Sequence, residues 1–307
     1  MSRERSKGIV GIFILVTVLF FVFIIFAFFT VSKLRSTDSL GSDLIVNEKN
    51  APIAVITIEN EIRESKKIVE MLLMAEQDRN IKAILLRIDS PGGAVAPTQE
   101  IYEEVRRIDK KKPVFASFGS VAASGGYYIG SAARKIWANA GTLTGSIGVI
   151  MQMADLSELF KFAKFKPEVI KAGRYKDIGS PARPMTDEER AYLNDLLAGT
   201  HKQFMEDILA VRKNRLKKDI TELAQGQIFH GSEAKDFGLV DEIGGLWQAG
   251  RAIHHELKLK GKFSLRYMKP RRDKFSLSDL LEETEDTLSL IKHKVSTPAK
   301  PAFLFQH

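Results

Sequence analysis

An α/β domain built on a largely parallel sheet, preceded by one N-terminal transmembrane helix, is the architecture that this 307-residue sequence predicts. Three observations carry the reading. From Pro52 onward, short β-branched runs alternate with stretches of helical periodicity. The run from Ile9 to Val31 is apolar and carries no charge. With 44% hydrophobic and 27% charged residues, the chain can bury a core and is too apolar for a disordered polymer.

The elements follow in order. Residues 1–8 form a short arm holding Arg3, Arg5 and Lys7. Residues 9–31, IVGIFILVTVLFFVFIIFAFFTV, contain seven of the 19 phenylalanines. As a helix they span about 34 Å, against a hydrocarbon core of about 30 Å. A secretory leader has a shorter apolar core and a small-residue cleavage site, to which Val31-Ser32-Lys33 corresponds poorly. Three Lys and Arg residues precede the run, and Lys33 and Arg35 follow it. That bias favours a cytoplasmic amino terminus and an exported remainder, a single-pass protein of the cytoplasmic membrane with an extracytoplasmic domain. Residues 32–50, rich in Ser, Asp and Asn, read as a linker.

The globular domain is expected over residues 51–250. Strands are expected at Ile53–Ile58, Ile81–Ile88 and Val114–Phe118, and helices at Glu64–Gln77 and Gln99–Ile108. The small-residue stretch Val121–Ala133 follows the third strand. Thr186 with Glu189 forms a capping box that opens a long helix running to about Lys213. Residues 251–307 are a basic and then polar extension.

Composition excludes several chemistries. With no cysteine there is no disulfide framework, no thiol nucleophile and no Cys metal site. The net charge of +8 suits a surface near anionic lipid, and nothing points to nucleic acid. Neither a His-Glu-x-x-His pair nor a Gly-Lys-Ser/Thr phosphate loop occurs, so no metal and no cofactor is expected.

Three segments could carry chemistry. Asp89-Ser90-Pro91-Gly92-Gly93 follows a strand, and its glycines could leave backbone N–H groups aimed at a ligand, as an oxyanion hole requires. Taken alone, it reads first as an ordinary tight turn. Gly119-Ser-Val-Ala-Ala-Ser124-Gly-Gly-Tyr-Tyr128 follows another strand and places Ser124 among small residues near a helix N-terminus. It lacks the nucleophile-elbow pattern, because Ala122 stands where the first glycine belongs. Close helix packing explains it as well.

A serine nucleophile needs a base. None of the six histidines (His201, His230, His254, His255, His293 and His307) lies in these segments. The remaining base is a lysine, and Lys176 sits in the loop Ala172-Gly-Arg-Tyr-Lys176-Asp-Ile-Gly-Ser-Pro181. A free lysine titrates near 10.4 and a useful base near 7–8, so burial must disfavour the charged form by about 4 kcal/mol. Most lysines are solvated surface charges. The Ser232-x-x-Lys235 pattern stands without its companion motifs and is taken as chance.

In combination these pieces are specific. Ser90-Pro-Gly-Gly93, Ala122-Ala-Ser124-Gly-Gly-Tyr-Tyr128, Leu143-Thr-Gly-Ser146-Ile-Gly148, the Lys176 loop, Gly226-Gln-Ile-Phe-His-Gly231 and Gly238-Leu-Val-Asp-Glu-Ile-Gly-Gly245 come in one order and spacing. The chain resembles the bacterial signal peptide peptidase A (SppA) family, in its short single-copy form, over about residues 52–250. The resemblance implies a Clp-protease/crotonase-like fold and a Ser/Lys serine protease that degrades signal-peptide remnants. Ser124 is then the nucleophile and Lys176 the general base. Ser146 orients the lysine, and the amides of Gly93 and Gly125 form the oxyanion hole. It further implies a homo-oligomeric ring whose dyad is completed between neighbouring copies, with peptides and the lipid membrane as partners. Asp89 stands where the family more often has Asn, and its carboxylate is expected to face away from the site.

Two other readings are weaker. An acyl-thioester lyase of the same fold needs paired acids for proton transfer, and neither Ser90–Gly93 nor Ala122–Tyr128 holds one. A non-catalytic scaffold would have lost Ser124 or Lys176. In the extension, Lys258–Lys274 holds eight basic residues and one acid, a solvated segment or a lipid contact. The apolar tip Pro301-Ala-Phe-Leu-Phe-Gln-His307 is expected to compete with substrate or to be trimmed by the enzyme itself.

Overall fold

The computed structural model describes residues 19–26 and 50–270, and the backbone of residues 302 and 303. The chain divides into two units, Met1–Lys49 and Asn50–His307. In the first unit, residues 19–26 are helical, and each is a large apolar side chain exposed to its surroundings. The rest of the expected membrane span 9–31, and the linker up to residue 49, lie outside the described residues. Among the described residues no helix is long and apolar enough to cross a membrane.

The second unit is an α/β layer structure. Its strands are β1 (Ile53–Glu59), β2 (Ala83–Ser90), β3 (Gly93–Ala94), β4 (Val114–Ala123), β5 (Ile136–Ala138), β6 (Leu143–Gly145), β7 (Ile228–His230), β8 (Glu242–Ile243), β9 (Leu265–Tyr267) and β10 (Ala302–Phe303). Its helices are α1 (Lys66–Gln77), α2 (Val95–Asp109), α3 (Gly125–Ser131), α4 (Ser157–Phe162), α5 (Asp187–Arg212), α6 (Ile220–Leu223), α7 (Gly231–Phe237) and α8 (Leu246–Glu256).

The main sheet runs β7-β6-β4-β2-β1-β9, and β5 joins β4 to β8. Every pairing in it is parallel except β6 with β7. Parallel strands are covered on both faces, and this explains why β1 and β2 read as nearly unbroken apolar runs. Ile56, Ile84, Leu86 and Ile88 pack with Leu72 of α1, Ile101 and Val105 of α2, and Phe204 and Ile208 of α5. Each such side chain contributes about 1.5–3 kcal/mol by leaving water.

Strand β4 carries the architecture toward the site. Its first half pairs with β5 at Ala116↔Ile136, and its second half pairs with β6 at Val121↔Leu143. The strand ends at Ala123, and α3 begins two residues later. The expected strand at Val114–Phe118 is therefore five residues longer than its apolar run, because Gly119 to Ala123 stay in the sheet although they are small. The capping box is present: Thr186 Oγ1 accepts from the Glu189 amide at 3.2 Å, and Glu189 Oε2 accepts from the Thr186 amide at 3.0 Å. Part of the basic stretch after residue 251 also belongs to the sheet. β9 pairs with β1, and Arg266 donates to Asp78 at 2.6 Å, so this arginine is an internal ion-pair partner.

Candidate active site

Ser124 occupies the single-residue turn between β4 and α3, with φ 52° and ψ −117°. These angles mirror the first central position of a type II turn and cost a non-glycine residue about 1–3 kcal/mol. The sequence lacks the nucleophile-elbow pattern, yet the backbone makes the same strained strand–turn–helix corner. The turn is held from both sides. The Ser124 amide donates to the Gly145 carbonyl at 2.8 Å, and the Ser124 carbonyl accepts from the Tyr128 amide at 2.8 Å. Ser124 is 1% exposed, and its Oγ has no hydrogen-bond partner among the described residues. Buried polar groups are nearly always hydrogen-bonded, so a buried hydroxyl without a partner marks this corner as a candidate site.

The two expected oxyanion donors converge on this corner. Ile62 bonds β3 on one edge: its amide donates to Gly92 at 2.8 Å, and its carbonyl accepts from Ala94 at 2.7 Å. Amides alternate sides along a strand, so the Gly93 N–H faces the opposite edge. Gly93 must be glycine because a Cβ there would meet the Ile62 carbonyl oxygen at 2.1 Å. Gly125 opens α3, where the first amides lack intrahelical acceptors. A Cβ on Gly125 would lie 3.2 Å from the Gly93 nitrogen and 2.9 Å from Thr98 Oγ1, so the two backbones are in contact. Thr98, fully buried, donates to the Ala94 carbonyl at 2.8 Å and backs this arrangement.

Ser146 follows β6 directly, at φ 48°, and its amide donates to the Gln227 carbonyl at 2.6 Å. Because Ala123 pairs with Gly145, Ser124 and Ser146 leave adjacent strands side by side. Lys176 is placed differently. It is exposed, on a loop braced by ion pairs, and makes no hydrogen bond to Ser124 within this chain. Arg183 spans Asp177 at 2.9 Å and Glu189 at 2.5 Å, and Lys171 closes on Asp177. The guanidinium of Arg183, with Lys171, holds the Asp177 carboxyl well below its usual range. Arg183 likewise holds Glu189 at about 2. One chain thus joins Ser124, Ser146, Gly93 and Gly125, and leaves Lys176 facing outward on a firm support.

Two further features surround the site. On the free edge of β3, Ala302 pairs with Ala94 and Phe303 with Gly93, antiparallel. An extended peptide therefore fits beside the Gly93 amide. A cavity of about 320 Å³ lies beside the Lys176 loop, lined by Met151, Met153, Met185, Leu193, Leu197 and Arg183. The sequence reading missed both, since neither a two-residue edge pairing nor a cavity between separate segments has a local signature. His201, whose buried Nε2 has no partner among the described residues, lines a small groove with Ile147 and Gly148 but does not bond Ser124. Asp89 turns toward β4 and donates nothing to the corner: its Oδ1 accepts from the Val121 amide at 3.0 Å, as expected of a carboxylate facing away.

Comparison with known proteins adds the lineage. The family model for peptidase family S49 matches residues 106–260, and that for Clp protease matches residues 45–146. A Synechocystis protein provisionally described as a protease is 41% identical over 180 residues, covering 59% of this chain and 65% of its own length. One from Methanocaldococcus jannaschii, with the same provisional description, is 33% identical over 248 residues, 76% of this chain and 78% of its own. The chloroplastic serine protease SPPA of Arabidopsis thaliana is 33% identical over 218 residues, 71% of this chain and 32% of its own. The chain thus spans less than two thirds of the first relative and about a third of the plant one.

Proposed function

We propose, from the premise that the chain belongs to peptidase family S49, that it is a membrane-anchored serine endopeptidase of the SppA type. It acts through Ser124 and Lys176 on signal-peptide remnants and similar apolar peptides. The observation that carries this reading is the buried, unpartnered Ser124 hydroxyl in a strained turn beside the Gly93 and Gly125 amides.

The chemistry follows from that arrangement. A peptide lies antiparallel on β3 with its scissile carbonyl over Ser124. The neutral amine of Lys176 takes the Ser124 proton as Oγ attacks the carbonyl carbon. Negative charge grows on the carbonyl oxygen, where the two amides already point and need no reorganisation. Collapse of the intermediate expels the amine, which takes the proton back from Lys176, and leaves an acyl-enzyme. Water, deprotonated by the same lysine, then attacks the ester carbonyl, and the lysine returns the proton to Ser124 Oγ as the C–O bond breaks and the acid leaves. Ser146 holds the lysine amine on line. The cavity beside the Lys176 loop mixes three methionines with Asp155, Arg183 and Arg190, so it offers a side chain both adaptable thioethers and charge.

Exposed in one chain, Lys176 meets a nucleophile only in an assembly. A head-to-tail ring supplies it from the neighbouring copy, and the apolar run 9–31 anchors that ring on the membrane that retains the substrates. Mixing tests this. Full-length Ser124→Ala and Lys176→Ala proteins, each inactive, are combined before assembly in detergent and assayed on a fluorogenic peptide with small apolar residues. One site in four then draws both groups from intact copies, giving about a quarter of wild-type activity. No regained activity would rule out the shared dyad. Wild-type rates in either single variant would rule out the dyad itself.

A further inference from the structure

The corner at Ser124 is aimed by an irregularity in β4, and one side chain fills it. The parallel pairing of β2 with β4 runs Ile84↔Val114 to Ile88↔Phe118, then resumes at Ser90↔Ala122. Between those pairs, Asp89 alone faces Gly119, Ser120 and Val121. Two additional residues are packed into β4, three residues before the nucleophile. Such bulges bend a strand and re-aim the residues beyond them.

The bulge has its own supports. Asp89 Oδ1 accepts from the Val121 amide at 3.0 Å, a donor that a regular ladder would have paired with the β2 backbone. The Asp89 carboxylate lies over Gly119, where a Cβ would meet Oδ2 at 2.5 Å and Cγ at 2.6 Å. Glycine is thus required there to admit the carboxylate. On the other side of β4, Thr142 donates to the Gly119 carbonyl at 2.7 Å and Thr144 to the Ala122 carbonyl at 2.6 Å. The bulge also marks where β4 exchanges its neighbour β5 for β6, so the second half can diverge and end at Ser124. Asp89 reaches the other half of the site through its backbone. Its carbonyl accepts from the Asn60 amide at 3.1 Å, and its chain continues into Ser90-Pro91-Gly92-Gly93.

We infer that Asp89 is a positioning residue: by accepting from Val121 within the β4 bulge, it fixes the direction of Ser124 relative to the Gly93 amide. The inference rests on Ser124 being the nucleophile. It needs the acceptor oxygen and not the charge, so an asparagine serves in its place.

The test measures acylation of Ser124 by a fluorophosphonate, followed by intact-protein and peptide mass spectrometry on the full-length protein in detergent, with kcat and KM on the same peptide. Asp89→Ala is expected to slow acylation and lower kcat about ten- to a hundred-fold, the loss typical of a misplaced reacting group, with KM nearly unchanged. Asp89→Asn restores most of both. If Asp89→Ala does not fold, Gly119→Ala, which forces the carboxylate off its seat, gives the same loss. A folded Asp89→Ala or Gly119→Ala protein that acylates at the wild-type rate overturns the inference, even if its melting temperature falls. An Asp89→Asn protein as slow as Asp89→Ala overturns it too. No labelling of Ser124 in the wild type overturns the nucleophile itself, a separate result.

Discussion

The amide of Ser124 and the carbonyl of Gly145 are joined at 2.8 Å, and this bond ties the turn that presents one serine to the strand that presents the next, Ser146. Both serines have positive φ, and their backbone bonds, Ser124 to Gly145 and Ser146 to the Gln227 carbonyl at 2.6 Å, hold them there. Chemistry placed on two such fixed points should respond sharply to small changes.

Replacing Ser124 with alanine is expected to lower hydrolysis of an apolar fluorogenic peptide by at least about a thousand-fold, the usual consequence of deleting a nucleophile. The buried hydroxyl has no structural bond to lose, so the melting temperature should hold within a few degrees. Calorimetry and a rate assay on the same sample check both halves. An unfolded variant would contradict the second.

A methyl group at residue 125 enters the space between Thr98 and the Gly93 nitrogen. Gly125→Ala should therefore reduce kcat by about a hundred-fold or more, with little change in KM, as the loss of an oxyanion donor does. Steady-state kinetics across a substrate series provides the measurement; a loss confined to KM would argue against the donor role.

The loop carrying Lys176 depends on Arg183. Its partners Asp177 and Glu189 titrate below their ordinary values in the folded chain, so their ion pairs stabilise the loop fully above about pH 4.5. That contribution fades as pH falls from 4.5 toward about 2, the value to which Glu189 is lowered. Amide exchange over residues 171–189 should be constant between pH 7 and 5 once corrected for intrinsic rates. Arg183→Ala should speed it already at neutral pH and cut activity several-fold. Unchanged exchange in that variant would show the brace to be idle.

The backbone pairing of Ala302–Phe303 with β3 places the chain's own end in the slot assigned to substrate. Deletion of residues 301–307 should lower the apparent KM for peptide a few-fold if the tail competes there. Intact mass of the wild type should show a trimmed C-terminus that the Ser124→Ala protein lacks. Identical, full-length masses in both remove the trimming reading.

Much of the fold was legible because parallel strands buried on both faces leave continuous apolar runs; IAVITI and AILLRI marked β1 and β2 directly. The second half of β4 was not, since Gly119 to Ala123 are small for reasons of close approach and carry no β signature. The strand at 265–267 hid within a basic stretch, where Arg266 read as solvated and is paired with Asp78. In the site, Ser124, Ser146, Gly93 and Gly125 were grouped only by the family resemblance, and the structure places all four about one corner. Motif order could not foresee the strain at Ser124, which lives in φ and ψ, or the outward course of Lys176, which depends on a loop anchored by residues up to thirteen positions away.

A peptide that replaced Ala302–Phe303 on the β3 edge, as the proposed function requires, would pair through its main chain in one orientation. A proline whose nitrogen should have met that edge brings no hydrogen to share, so peptides with a proline at the pairing position should pass uncut whatever their side chains. Under the proposed function, pairing through the main chain favours fragments that can lie straight over chains held in turns and folds.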